Sequence, residues 1–128
     1  MKILVIDDDD RVRTLLRDIL RLGGHHVIEA QDGELGIQYL EKERTVDLVL
    51  TDLGMPLKNG WEVARWIKMR SPKLPVVLIT GWGENLDEEK MKEAGVDLII
   101  SKPFEVHEVL STVDLLRKTM MRESPQEA

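Results

Sequence analysis

The chain has 128 residues, with 18 Lys+Arg against 24 Asp+Glu for a net charge of -6, which suits one domain with a single ordinary core. With 42% apolar and 33% charged residues it is neither disordered nor collagen-like, and no run approaches the roughly 18 consecutive apolar residues of a membrane span. Cysteine is absent, which removes disulfides, thiolate catalysis and most structural zinc sites, and the acidic balance argues against a nucleic-acid or anionic-membrane surface.

The first apolar run, Ile3 to Ile6, begins without a signal-peptide pattern, so a cytoplasmic protein is expected. Next, Val12, Leu15, Leu16, Ile19 and Leu20 repeat at helical spacing, with Arg11, Arg13, Arg17, Asp18 and Arg21 on the polar side; Asp10 is the expected N-cap and Gly23-Gly24 the stop. A second run, Val27 to Ala30, leads to a helix over Asp32 to Glu43 carried by Leu35, Ile37 and Leu40. A third, Val46 to Leu50, leads to a helix over Gly60 to Met69, with Trp61 inward and Trp66 partly exposed, ended by Ser71 and Pro72. After Val76 to Ile79 comes a short helix, Asp87 to Glu93, stopped at Gly95. Val96 to Ile100 precedes the longest helix, Glu105 to Arg122, marked by Val106, Val109, Leu110, Val113, Leu116 and Met120.

All five runs are rich in β-branched residues and nearly continuous, the habit of strands buried on both faces in a parallel sheet. Strand and helix alternate five times, so the fold class is α/β, a doubly wound five-stranded parallel sheet with five helices. One domain is expected over residues 1–122, followed by a polar tail, 123–128.

Ligands of such sheets bind outside the carboxyl ends of the strands. Those ends carry Asp7 and Asp8, Asp52, Thr80 and Lys102. Neighbouring strands lie about 5 Å apart, so the three carboxylates repel one another unless a cation neutralises them. Without cysteine or paired histidines, the expected ion is Mg2+ or Mn2+, which takes carboxylate, water and phosphate oxygens. A phosphoryl group completes such a site: Lys102 supplies charge, Thr80 a hydrogen-bond donor, and Asp52 the nucleophile.

The segments Ile3 to Asp8 (ILVIDD), Val49 to Gly60 (VLTDLGMPLKNG), Val77 to Gly81 (VLITG) and Ser101 to Phe104 (SKPF) resemble the four signatures of response-regulator receiver domains, over residues 1 to about 121. The resemblance implies a flavodoxin-like strand order of 2-1-3-4-5. It implies that a histidine kinase or phosphotransfer protein phosphorylates Asp52, and that Asp7, Asp8, Asp52 and the backbone carbonyl of Gly54 hold the ion. Thr80 would hydrogen-bond the phosphoryl group and Lys102 would pair with it, followed by a cis bond to Pro103. The family's usual switch aromatic is replaced by Ile99; the alternative is a smaller displacement of the loop after Thr80, which carries Trp82 as a flap over the phosphate, a partner anchor or a simple packing residue of the loop. The TGWG-like loop and LGMP segment resemble receivers attached to hybrid histidine kinases.

Such a domain is a signalling phosphoacceptor, not a turnover enzyme. Ile99, Val106 and Leu110 are expected to outline a docking or homodimer face between the fourth and fifth helices, with no direct nucleic-acid or membrane contact. His25, His26 and His107 read as surface side chains. Two other readings stay open. In a haloacid-dehalogenase-like phosphatase Asp7 would be nucleophile and Asp9 acid, which requires a cap and a later acidic pair not evident here; an unphosphorylated pseudo-receiver would only bind partners.

Overall fold

The five apolar runs pair edge to edge in the computed structural model, which describes residues 1–42, 45–81 and 87–123, the last three by backbone alone. In chain order the elements are β1 Lys2–Ile6, α1 Asp10–Leu22, β2 His26–Ala30, α2 Gly33–Glu41, β3 Leu48–Asp52, α3 Gly60–Arg70, β4 Val76–Thr80, α4 Glu88–Ala94, β5 Leu98–Ser101 and α5 Val106–Glu123. All pairings are parallel and the strand order is β2-β1-β3-β4-β5. This is the doubly wound, flavodoxin-like sheet expected. The helix α5 includes Glu123, the first residue of the expected tail.

The central strands are apolar on both faces because both faces are covered. Ile3, Val5, Leu50, Val77 and Ile79 point into a core closed by Leu16, Ile19 and Leu20 of α1 and Val109, Val113 and Leu116 of α5. Leu4, Ile6, Val49, Val76 and Leu78 point the other way, against Ile37 of α2, Trp61, Val63, Ala64 and Ile67 of α3, and Ala94 of α4. Trp61 is buried and Trp66 partly exposed, as their spacing predicts.

Two strands start later than the apolar runs suggest. Val46 and Val96 lie outside β3 and β5 because the residue after each is an aspartate that serves its neighbour strand: Asp47 Oδ2 accepts from Lys2 N and Asp97 Oδ2 from Val76 N, both at 2.8 Å. Each carboxylate satisfies the first amide of a strand that the ladder would leave unpaired. Lys68 Nζ, 2.8 Å away, holds Asp97 in turn.

Helix ends follow capping chemistry with one correction. The N-cap of α1 is Asp9, not Asp10: Asp9 Oδ1 accepts from the backbone N–H groups of Arg11 and Val12. Asp10 lies in the first helical turn, where its charge complements the helix dipole. Asp32, Asn59 and Asp87 cap α2, α3 and α4, with Asn59 and Glu62 forming a reciprocal capping box. Gly95, in the left-handed conformation at φ 74°, ends α4. Leu35, expected inward, is 43% exposed.

Candidate functional site

Parallel register brings the polar strand ends together. Ile6 lies opposite Thr51, so Asp7 and Asp52 leave adjacent strands side by side. Asp52 pairs with Ile79 and Thr80 with Ser101, which puts Lys102 just beyond the same edge. Asp7, Asp52 and Thr80 are buried while Asp8 is exposed. Carboxylate oxygens of Asp7, Asp8 and Asp52 lie within 4.8 Å of one another.

Lys102 Nζ donates to Asp52 Oδ1 at 3.1 Å and stands 3.8 Å from Asp7 Oδ2, and its backbone N–H donates to Thr80 O at 2.7 Å. The Lys102–Pro103 peptide is cis. One carboxylate oxygen of Asp7 accepts from Asp9 N at 2.9 Å. The other, Oδ2, is buried with no hydrogen-bond partner among the described residues. Burial first, and the nearby Asp52 carboxylate second among the raising influences, push the Asp7 carboxyl up to about 6 against the bond from Asp9 N–H.

This donor set fits a hard divalent cation. A buried carboxylate oxygen without a hydrogen bond is costly, and here it lies near the Lys102 ammonium and two further carboxylates with no sulfur or imidazole in the group. Such all-oxygen donors suit Mg2+ or Mn2+. Gly54, whose carbonyl was expected to be a ligand, is exposed two residues beyond Asp52.

Two residues that position the site were not singled out from the sequence. Gly60 packs so closely under the site strand that a Cβ there would sit 2.6 Å from Asp52 O, 2.9 Å from Leu53 Cα and 2.5 Å from Leu78 Cδ1. Arg13, placed by helical periodicity on the polar side of α1, is 8% exposed. Its Nη1 donates to Asp7 O at 2.9 Å, its Nη2 to Asp10 Oδ1 at 2.5 Å and its Nε to Glu29 Oε1 at 3.2 Å. The only signal for Gly60 was its motif position; Arg13 had none, since its partners come from three separate segments.

The expected face between the fourth and fifth helices is corrected. Ile99 packs on the α2–α4 side of the sheet, whereas Val106 and Leu110 line a groove with Leu15 and Ile19 of α1. They therefore belong to an α1–α5 surface. His25 is partly buried and its Nδ1 lies 3.0 Å from the Met1 amino group, while His26 and His107 are exposed. Trp82 lies outside the described residues.

A doubly wound sheet with an acidic cluster, a strand-end lysine and a buried strand-end threonine defines a phosphoacceptor type of α/β domain. The sequence model of the response regulator receiver domain matches residues 3–114. The chain is 34% identical over 126 residues to the transcriptional regulatory protein CpxR of Escherichia coli, covering 98% of this chain and 53% of that protein. It is 38% identical over 125 residues to the transcriptional regulatory protein ResD of Bacillus subtilis, covering 98% and 50%. A crystal structure of a response regulator receiver domain protein from Clostridium thermocellum superimposes with a TM-score of 0.83 at 30% identity, covering 94% of this chain and 98% of that one. The chain belongs to the response regulator receiver domain family. It spans about half the length of the curated relatives named here. No helix among the described residues is long and apolar enough to cross a membrane.

Proposed function

We propose that Asp52 is the phosphoacceptor of a two-component phosphorelay. The observation that carries this reading is the meeting of Asp52, Lys102 and Asp7 at one sheet edge, with Asp7 Oδ2 buried and without a hydrogen bond among the described residues. In the reaction an Asp52 carboxylate oxygen attacks phosphorus, an O–P bond forms, and the P–N bond to a phosphohistidine of a kinase or phosphotransfer protein breaks, its electron pair leaving with the imidazole. Asp7, Asp8, Asp52 and the Gly54 carbonyl would hold Mg2+ or Mn2+, which supplies charge neutralisation at the transferring phosphoryl oxygens. Lys102 moves its hydrogen bond from the Asp52 carboxylate to a phosphoryl oxygen, and the Thr80 hydroxyl donates another. Thr80 and Asp52 are buried, where an electrostatic contact counts for more than in water.

In this reading the domain acts on itself and is not a turnover enzyme. With Ile99 where an aromatic switch would stand, the response is carried by Thr80, which moves with the phosphoryl group its hydroxyl bonds. Phosphorylation changes partner binding in the cytoplasm, where the kinase's phosphohistidine is offered. A homodimer through the fourth and fifth helix face stays part of this reading, but without Val106 and Leu110, which pack beside Leu15 and Ile19 of α1. The acidic balance of these 128 residues supports no direct nucleic-acid contact by this domain; CpxR and ResD are transcriptional regulatory proteins, and any such output would lie outside the matched region.

Intact mass after acetyl phosphate and Mg2+ tests the assignment. A single phosphoryl adduct, lost without Mg2+ and in Asp52→Asn, is expected. An adduct that persists on Asp7 in that variant would support the phosphatase reading, although Asp9, its proposed acid, already caps α1. No adduct on the wild type would support the pseudo-receiver.

A further inference from the structure

We propose that Arg13 is a positioning residue for the divalent-cation site, acting through the backbone carbonyl of Asp7. The proposal rests on the phosphoacceptor reading above, which makes Asp7 a ligand.

Each polar atom of Asp7 but one is tied down by a different segment. Its N–H donates to Ala30 O at 3.2 Å in β2. Its Oδ1 accepts from Asp9 N at the start of α1. Its carbonyl accepts from Arg13 Nη1 at 2.9 Å, one turn into that helix. Oδ2 has no hydrogen bond among the described residues and faces the site, 3.8 Å from Lys102 Nζ. The carbonyl belongs to the peptide that joins Asp7 to Asp8, so the Arg13 bond fixes the plane that sets how these two ligand residues stand relative to each other.

The guanidinium is itself held in plane. Nε is fixed by Glu29 Oε1 and Nη2 by Asp10 Oδ1, and the other Glu29 oxygen accepts from Arg17 Nη1 at 3.4 Å. Three nitrogens thus contact β2, the first turn of α1 and the end of β1 in three directions. A planar fork does this; the point charge of a lysine on a flexible stem does not. Outer residues that orient metal ligands typically change metal affinity by about 10- to 100-fold when removed.

Positioning and plain electrostatics predict opposite signs. Arg13 is a cation near a cation site, so as a charge alone it opposes binding, and its removal should tighten binding. As a positioning group its removal should weaken binding. A residue that only stabilises the fold would lower the melting temperature and leave the affinity of the folded protein unchanged.

The test is Mn2+ binding, read from the electron paramagnetic resonance of the free ion and repeated for Mg2+ by calorimetry. Wild type, Arg13→Met and Arg13→Lys are compared at a temperature well below their melting points. Arg13→Lys keeps the charge and most of the stem, so it remains informative if Arg13→Met does not fold. The expected result is about tenfold weaker binding in both variants, without rescue by lysine. Unchanged or tighter binding in Arg13→Lys overturns the proposal while leaving the phosphoacceptor reading intact. A wild type that binds neither ion overturns that reading, and this proposal with it.

Discussion

The Lys102 ammonium donates a hydrogen bond to the Asp52 carboxylate, 3.1 Å from Oδ1. It offsets part of the negative charge of the acidic cluster, standing 3.8 Å from Asp7 Oδ2 as well. The same ammonium repels an incoming cation. Its side chain is 27% exposed, so solvent screens this repulsion to about the 1 kcal/mol of a surface pair.

Lys102→Ala should therefore bind Mg2+ up to about fivefold more tightly, since about 1 kcal/mol corresponds to that factor, while losing its conformational response to the phosphoryl mimic beryllofluoride. Calorimetry for Mg2+ and amide exchange of the segment after Thr80 check the two halves. Weaker Mg2+ binding with a normal response would show that Lys102 serves the cation and not the phosphoryl group.

Asp7 gives the cation-free domain an unusual pH dependence. Its carboxyl is raised to about 6 in the folded protein, chiefly by burial, against 3.8 ordinarily. Between those values the folded chain keeps a proton that the unfolded chain has released. Its contribution to stability is therefore full below pH 3.8 and is lost as pH rises through 6, on the order of 3 kcal/mol in all. Thermal melting in EDTA from pH 4.5 to 7.5, wild type against Asp7→Asn, isolates it. The wild type should lose ground to the variant as pH rises, and Mg2+ should restore it at pH 7.5. A difference that does not vary with pH would mean that Asp7 titrates normally.

The close approach of Gly60 to Asp52 predicts a second kind of damage. A methyl group at this position meets Asp52 O, Leu53 Cα and Leu78 Cδ1 inside contact distance. Two of the three atoms are backbone, so relief requires β3 to shift away from the N-terminus of α3. Overpacking of this kind costs about 1–3 kcal/mol. Gly60→Ala should melt several degrees lower and accept phosphate from acetyl phosphate more slowly, because the shift is passed to the nucleophile. A variant that melts lower yet is phosphorylated at the wild-type rate would show that β3 holds Asp52 in place despite the strain.

Much of the site was legible because its residues follow strands with an unambiguous pattern. Runs such as Val76 to Ile79 read as doubly covered strands, and the polar residue after each marks the sheet edge where ligands bind. The strand starts were not legible. Val46 and Val96 continue the apolar runs, and only the tertiary bonds of Asp47 and Asp97 show that pairing begins beyond them. Arg13 was hidden for a related reason. Helical periodicity assigns a position to a face, but whether a charged side chain on that face is buried depends on what the chain brings over it. Here that is the Asp7 carbonyl and Glu29, 16 residues away in sequence. The Asp9 and Asp10 capping choice turns on one residue in a run of four aspartates, where all four suit a helix start.

The crowding of Asp7, Asp8 and Asp52 leads to the last prediction. Without a cation, the charges of Asp52 and Asp8 raise the cost of ionising Asp7, whose oxygens lie within 4.8 Å of theirs, and unfolding separates them. Asp8 is the exposed member, so neutralising it removes repulsion without leaving a buried amide to satisfy. Asp8→Asn should therefore raise the melting temperature in EDTA, by the few degrees that correspond to about 1 kcal/mol. Mg2+ should stabilise the wild type independently, by about 1.4 kcal/mol at tenfold excess over its dissociation constant, since it binds only the folded chain. The two gains should not add, because the substitution removes a ligand that the ion uses. Melting of both proteins at fixed ionic strength, with EDTA and with Mg2+, gives all four values. If Asp8→Asn melts below wild type in EDTA, or gains as much from Mg2+ as wild type does, Asp8 takes no part in a cation-binding cluster. If it gains in EDTA and loses its response to Mg2+, the charge that destabilises the empty site is also the charge that binds the ion.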